Sequence, residues 1–165
     1  MLSHGLHSPL YRALRDKGGL VYGVGASPHS WLNDGLIEVG LTTSQPKAER
    51  AAAVLAETLA ATPSFLTAEQ FELAQRRVTF MFASAQESPE NWGRRAMMDM
   101  LVHGRIRERG EILDRYKSLT LKDVQQAAEG LLSKPPFVAA MGPVEGLPAK
   151  AIFDRALASH QSRPG

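Results

Sequence analysis

Arg15 and Tyr22 are the two side chains whose types and spacing point most directly to chemistry. A guanidinium presents a fixed fork of N–H donors that fits a carbonyl or carboxylate oxygen. A phenol O–H can both donate and accept a hydrogen bond. The two residues frame the stretch Leu14-Arg15-Asp16-Lys17-Gly18-Gly19-Leu20-Val21-Tyr22, which reads as a helix end, a glycine break and a strand start. Lys17 puts a cation at the negative end of the helix dipole. Gly18 or Gly19 supplies the left-handed residue that commonly closes a helix. Val21, Tyr22 and Val24 suit a pleated strand. A helix and strand folded back at the glycines would let Arg15 and Tyr22 face one space. The same residues also have a purely structural reading: an arginine is favourable near any helix C-terminus, and a strand tyrosine is often a core or edge aromatic.

Other side chains offer less. The five histidines are His4, His7, His29, His103 and His160. Only His4 and His7 are close, with no acidic residue beside them, and a catalytic zinc normally takes three protein ligands. No metal site is expected in this chain. The clusters Arg76-Arg77, Arg94-Arg95 and Arg105–Arg109 are mixed with acidic residues and read as solvated helix surface. Met97-Met98-Asp99-Met100 reads as core filling. Gly23-Val24-Gly25-Ala26 lacks the lysine and hydroxyl of a phosphate loop.

Composition sets broad limits. The chain has 165 residues, 44% hydrophobic and 22% charged, which suits one domain with a sizeable core. A net charge of +2 is too small to imply nucleic acid. With no cysteine, disulfides and thiolate metal sites are excluded. No apolar run approaches the ~18 residues of a membrane span, and no basic-then-apolar leader opens the sequence. A soluble chain is expected, without nucleic acid or membrane as partner, and its compartment is not set.

The elements that must position Arg15 and Tyr22 follow from capping and periodicity. Ser8-Pro9 is an N-cap followed by proline at the first helical position. Leu20–Ala26 and Leu36–Thr43 read as an antiparallel hairpin around a loop from Pro28 to an Asp34-Gly35 turn. A helix opens at Ser44 or Gln45, repeats apolar residues through Leu59 and stops at Thr62-Pro63. Thr67 to Gln70 has capping-box spacing before a helix with Phe71, Ala74, Val78, Met81 and Phe82 on one face. Ser88-Pro89 opens another, carrying Trp92, Ala96, Met97, Met100 and Leu101, which His103-Gly104 ends. Helices from Gly110 to Ser118, after Thr120, and from Ala149 to Ser159 complete the set, with a third strand from Pro136 to Gly142. The expected fold is α+β, an antiparallel or mixed sheet with helices packed on one face.

Several of these segments, in order, resemble the M16 (pitrilysin or inverzincin-type) zinc peptidases. Ser8-Pro9-Leu10-Tyr11 through Tyr22 is similar to the family's Ser-x-Leu-Phe/Tyr-x-x-Leu/Ile-Arg-Glu/Asp-Lys-x-Gly-Leu-x-Tyr. Leu66–Phe71, Gln86–Pro89, Leu119–Val124 and Ala140–Pro143 resemble later family segments. The family's His-x-x-Glu-His zinc motif is absent, so the resemblance is to the second, non-metal domain. Met1–Leu6 resembles the end of the helix before the family's Leu-Gly-Gly-Gly turn. The expectation is one C-terminal-type M16 half-domain over residues 1–165, lacking the family's first β-α-β portion.

The resemblance implies a role for the pair. Arg15 would hold a substrate backbone carbonyl, and Tyr22 would support the oxyanion formed when water attacks the peptide bond at the zinc. Zinc and the catalytic base would belong to a partner M16 domain or subunit, with a peptide as substrate and no activity in this chain alone. An uncovered sheet edge would favour self-association or coverage by another chain. Two alternatives stand beside this: a non-catalytic M16-like interaction or scaffold protein, similar to the core subunits of respiratory complexes, and an isolated fragment without independent activity.

Overall fold

The computed structural model describes residues 8–31, 34–85 and 88–161. Those residues form an α+β fold in the order α1 (Pro9–Tyr11, continued by a π-helical turn over Arg12–Asp16), β1 (Val21–Ser30), β2 (Gly35–Thr43), α2 (Ala48–Ala60), α3 (Thr62–Phe65), α4 (Ala68–Ala85), α5 (Pro89–His103), α6 (Arg109–Ser118), α7 (Leu121–Leu132) and α8 (Ala149–Gln161). His4 and His7, Met1–Leu6 and Gln86-Glu87 of the motifs above lie outside the described residues, as do Leu32 and Asn33 in the hairpin loop.

The caps form as their residue types dictate. The Tyr11 N–H donates to Ser8 Oγ at 3.4 Å. Thr67 and Gln70 exchange two bonds, Gln70 N–H to Thr67 Oγ1 at 3.2 Å and Thr67 N–H to Gln70 Oε1 at 3.1 Å. Thr120 and Asp123 do the same at 3.2 and 2.8 Å. Each pair satisfies N–H groups that a helix start leaves without intrahelical partners. Ser88 accepts from Asn91, and α5 ends on Gly104. β1 and β2 make a two-stranded antiparallel sheet. β1 runs on to Ser30, so the loop is shorter than the expected one. Its Trp31 N–H bonds to the Asp34 carbonyl at 2.8 Å, and Asp34 Oδ1 accepts from Gly35 N–H at 2.7 Å. α2 ends at Ala60, just before Thr62-Pro63 as expected, and a separate single turn, α3, follows.

The described residues cluster into two compact units. The first gathers residues up to His29, Leu36–Phe65 and the chain from Gln125 onward. Its core is Leu10, Leu14, Val21, Ala51 and Leu55, with Val24, Val39, Leu41 and Phe153 packed against it. α2 carries the apolar stripe read from sequence, burying Ala51, Ala52, Leu55, Ala56 and Ala60 against the α1 region and α8. Pro136–Gly142, expected as a third strand, has no regular structure, and Phe137 and Met141 are fully exposed. A strand exists only when its N–H and C=O groups find a neighbour. Among the described residues none pairs with this segment.

The second unit comprises Ser30, Trp31, Asp34 and Gly35 of the hairpin tip and the described residues of Leu66–Val124. Phe82 meets Tyr116 edge-on at 5.7 Å, and Gln75 Nε2 donates to the carbonyls of Tyr116, Lys117 and Leu119 at 2.9–3.2 Å, so α4 caps the end of α6. Here two expectations are corrected. Met97, Met98 and Met100 are exposed, while Asp99 between them is 2% exposed. Arg95 and Arg107 are not solvated surface charges but close on Asp99, at 3.5 and 2.8 Å. The Arg107 backbone N–H adds a bond to Asp99 Oδ2 at 3.1 Å. An ion pair of this kind outweighs the weak preference of flexible methionines for the interior, so α5 turns Arg95, Ala96 and Asp99 inward.

Burial by itself pushes the Asp99 carboxyl up, but the hydrogen bonds and positive charge of Arg107, with Arg95 behind them, hold it below the usual aspartate value. A carboxyl lowered in the folded state contributes stability above its unfolded pKa of about 3.9 and loses it as pH falls through the folded value. Asp99→Asn is therefore expected to lower unfolding free energy at neutral pH by about 3–5 kcal/mol, because it leaves two guanidiniums without a counter-charge. The same variant should flatten the acid limb of stability, read by urea unfolding between pH 2 and 7 at roughly half-unit steps.

Candidate functional site

Leu10 and Leu14 are fully buried, and they fix the face of the first helical stretch that looks inward. Arg15, one position on, is exposed. The chain then widens instead of simply ending: Lys17 N–H bonds to the Arg12 carbonyl at 3.0 Å, the i to i−5 pattern of a π turn. Nested bonds close it, Gly19 N–H to Arg15 O at 2.9 Å and Leu20 N–H to Leu14 O at 2.8 Å. Nothing in the residue types announces this widened turn, although such turns are frequent at functional sites. The sequence could announce only the glycines. Gly19 has φ +52°, the left-handed conformation anticipated for one of the pair. A Cβ on Gly18 would sit 2.7 Å from the Ala13 carbonyl oxygen, so the chain passes itself too closely there for any side chain.

Two side chains far along the sequence tie the turn down. Lys47 Nζ donates to the Gly19 carbonyl at 2.8 Å. Thr43 Oγ1, at the end of β2, donates to the Leu20 carbonyl at 2.6 Å. These contacts satisfy carbonyls that the reversal strips of regular partners. Neither Thr43 nor Lys47 stands out in the sequence, because the contacts span 23 and 28 residues.

The turn therefore carries Arg15 on one arm and Tyr22 on the other. Val21 enters the core, and Tyr22 next to it is 71% exposed. No hydrogen bond or ring contact joins Arg15 to Tyr22; the Arg15 guanidinium instead lies over the ring of Tyr11, 5.2 Å from its centroid. Among the described residues the Arg15 donors meet no carboxylate and no carbonyl, and the Tyr22 hydroxyl is likewise unbonded. Both groups are presented to solvent with their donors open.

Elsewhere among the described residues the candidates are already engaged or too small a set. A cavity of about 310 Å³ in the second unit is lined by Trp92, Arg95, Ile106, Arg107, Glu108 and Arg109. Its Arg95 and Arg107 are already engaged by Asp99. His29 Nε2 lies 2.9 Å from Glu38 Oε2 across the hairpin. Among the described residues no group of three or more His, Asp or Glu side chains could hold a metal ion, so these residues do not fit a zinc centre. No helix among them is long and apolar enough to cross a membrane.

Comparison with known proteins bears on the same turn. Residues 1–78 match the family model described as the Peptidase M16 inactive domain. That span contains Arg15, Tyr22, Thr43 and Lys47. Over 139 residues, 84% of this chain, the sequence is 24% identical to an "Uncharacterized zinc protease" of Rickettsia bellii (strain RML369-C). The chain spans about a third of that protein's length, 34%. The resemblance to the M16 inactive domain is thus borne out by the family match and the zinc protease relative.

The glycine pair gives a direct check on how the turn is built. Gly19→Ala, forced into a left-handed conformation, is expected to cost about 1–2 kcal/mol. Gly18→Ala should cost more than Gly19→Ala, because the backbone of the turn itself must move. Thermal unfolding of the two variants side by side measures the order.

Proposed function

We propose that this chain is the non-metal half of an M16-type zinc endopeptidase, a single C-terminal-type M16 domain that binds peptide and supports the reaction in a partner domain. The observation that carries the reading is the open Arg15 guanidinium, presented with Tyr22 on one braced turn inside the span that matches the M16 inactive domain. Zinc is expected in the partner, where it would supply Lewis-acid chemistry. This chain's own residues do the rest of the work assigned to it. Arg15 donates from its guanidinium edge to the oxygen of a substrate backbone carbonyl and so fixes the peptide's register. Tyr22 donates its O–H to the oxygen that gains charge as the scissile carbonyl is attacked, which makes it a transition-state contact.

Peptide bound between the two halves would leave this chain inactive alone. The open edges of the β1–β2 hairpin and the unpaired Pro136–Gly142 segment suit coverage by the partner or by a second copy. That same exposed apolar surface favours a second reading, an M16-like scaffold kept for assembly, in which Arg15 and Tyr22 are remnants of the fold.

Substitution in the assembled peptidase decides between them. Tyr22→Phe is expected to lower kcat about 10²–10³-fold, the usual effect of losing one oxyanion donor. Arg15→Ala is expected to lower kcat/KM while light scattering shows the assembly intact. Unchanged cleavage of an internally quenched peptide by both variants would leave the scaffold reading.

A further inference from the structure

We infer that Tyr11 is the positioning residue of this site: its ring face holds the Arg15 guanidinium in place and leaves its N–H donors for an oxygen acceptor. The inference rests on the reading of Arg15 as the substrate's donor and adds a residue to it. An exposed arginine ordinarily samples many rotamers, and holding one for a ligand costs entropy. Arg15 has no ion pair or hydrogen bond among the described residues that could hold it, and Asp16 beside it forms none with it. What it has is the Tyr11 face, 5.2 Å from the guanidinium carbon to the ring centroid. That contact is with the ring face and uses no hydrogen bond, so it leaves the Arg15 N–H donors unclaimed.

The ring is itself anchored. Tyr11 is half-buried, between fully buried Leu10 and the start of the widened turn, and its N–H is capped by Ser8. Positions 11 and 15 are four apart, the spacing that stacks side chains on one helical face. The brace at the other end, Lys47 on Gly19 and Thr43 on Leu20, keeps the arm that carries Arg15 from swinging. A hydroxyl on the ring is not part of this arrangement, so phenylalanine should serve as well and leucine should not. Lysine at position 15 should not substitute, having no planar fork to lay on the ring.

Two measurements test it. In the free chain, the Arg15 Nε–Hε resonance is expected upfield of other exposed arginines and more ordered than that of Arg50, an exposed arginine of α2. Tyr11→Phe should keep both features and Tyr11→Leu should lose them. An Arg15 side chain as mobile as Arg50 in the unsubstituted chain overturns the inference without any variant. In the assembled peptidase, Tyr11→Leu is expected to raise KM for a quenched peptide about two- to fivefold, the range of an exposed cation–π contact. kcat should stay unchanged, Tyr11→Phe should restore KM, and Tyr11→Leu should add nothing in an Arg15→Ala background. If Arg15→Ala impairs cleavage but Tyr11→Leu acts equally in both backgrounds, the positioning role fails and the proposed function stands. If Arg15→Ala leaves cleavage untouched, the proposed function fails, and the role of Tyr11 in catalysis falls with it.

Discussion

A reversal of chain direction that strips backbone carbonyls of their partners is the constraint on which the site depends. Between Asp16 and Val21 the chain must leave a helix and enter a strand within four residues. Gly19 accepts the left-handed conformation and Gly18 the close approach to Ala13. The carbonyls of Gly19 and Leu20 are then claimed by Lys47 and Thr43. The Leu20 carbonyl is part-buried, where a missing partner would be costly, and the exposed Lys47 contact adds a second tie across the reversal. Leu14 pinned in the core on one arm and Val21 on the other set where Arg15 and Tyr22 emerge.

Much of this was legible in the residues. Local signals read true: Ser8, Thr67 with Gln70, Ser88 and Thr120 with Asp123 all cap helices, because capping is settled within three residues of sequence. The glycine break and the hairpin followed from the same short-range chemistry. What was not legible depends on distant partners. Pro136–Gly142 has strand-like residues but no strand beside it among the described residues. The widened turn at Arg12–Asp16 has no residue signature.

The clearest inversion is on α5. Hydrophobic counting sends Met97 and Met100 inward and Asp99 out, yet Asp99 is the buried residue. Arg107, eight residues on and past the helix end, meets the carboxylate with side-chain and backbone N–H groups together. A carboxylate with several charge-assisted bonds can occupy an interior that periodicity alone would assign to apolar side chains. Arg95 completes the cluster with its guanidinium 5.9 Å from the Phe82 ring centroid, while its Nε stays buried without a partner. The cost of that orphan group is set against the gain of neutralising Asp99 from a second side.

The bare backbone of Pro136–Gly142 also says something about what holds the end of the chain in place. α8 packs along α2, and Phe153 reaches the central cluster. Its attachment is therefore through side chains and not through the peptide that leads to it. A protease would find Phe137 and Met141 fully exposed on a segment that pairs with no strand among the described residues. A cut there would sever a covalent link while leaving the α2–α8 interface whole. The nicked molecule would then depend on the α2–α8 packing alone, made from a helix whose inward side chains Ile152, Phe153, Ala156 and Leu157 all stay half-exposed.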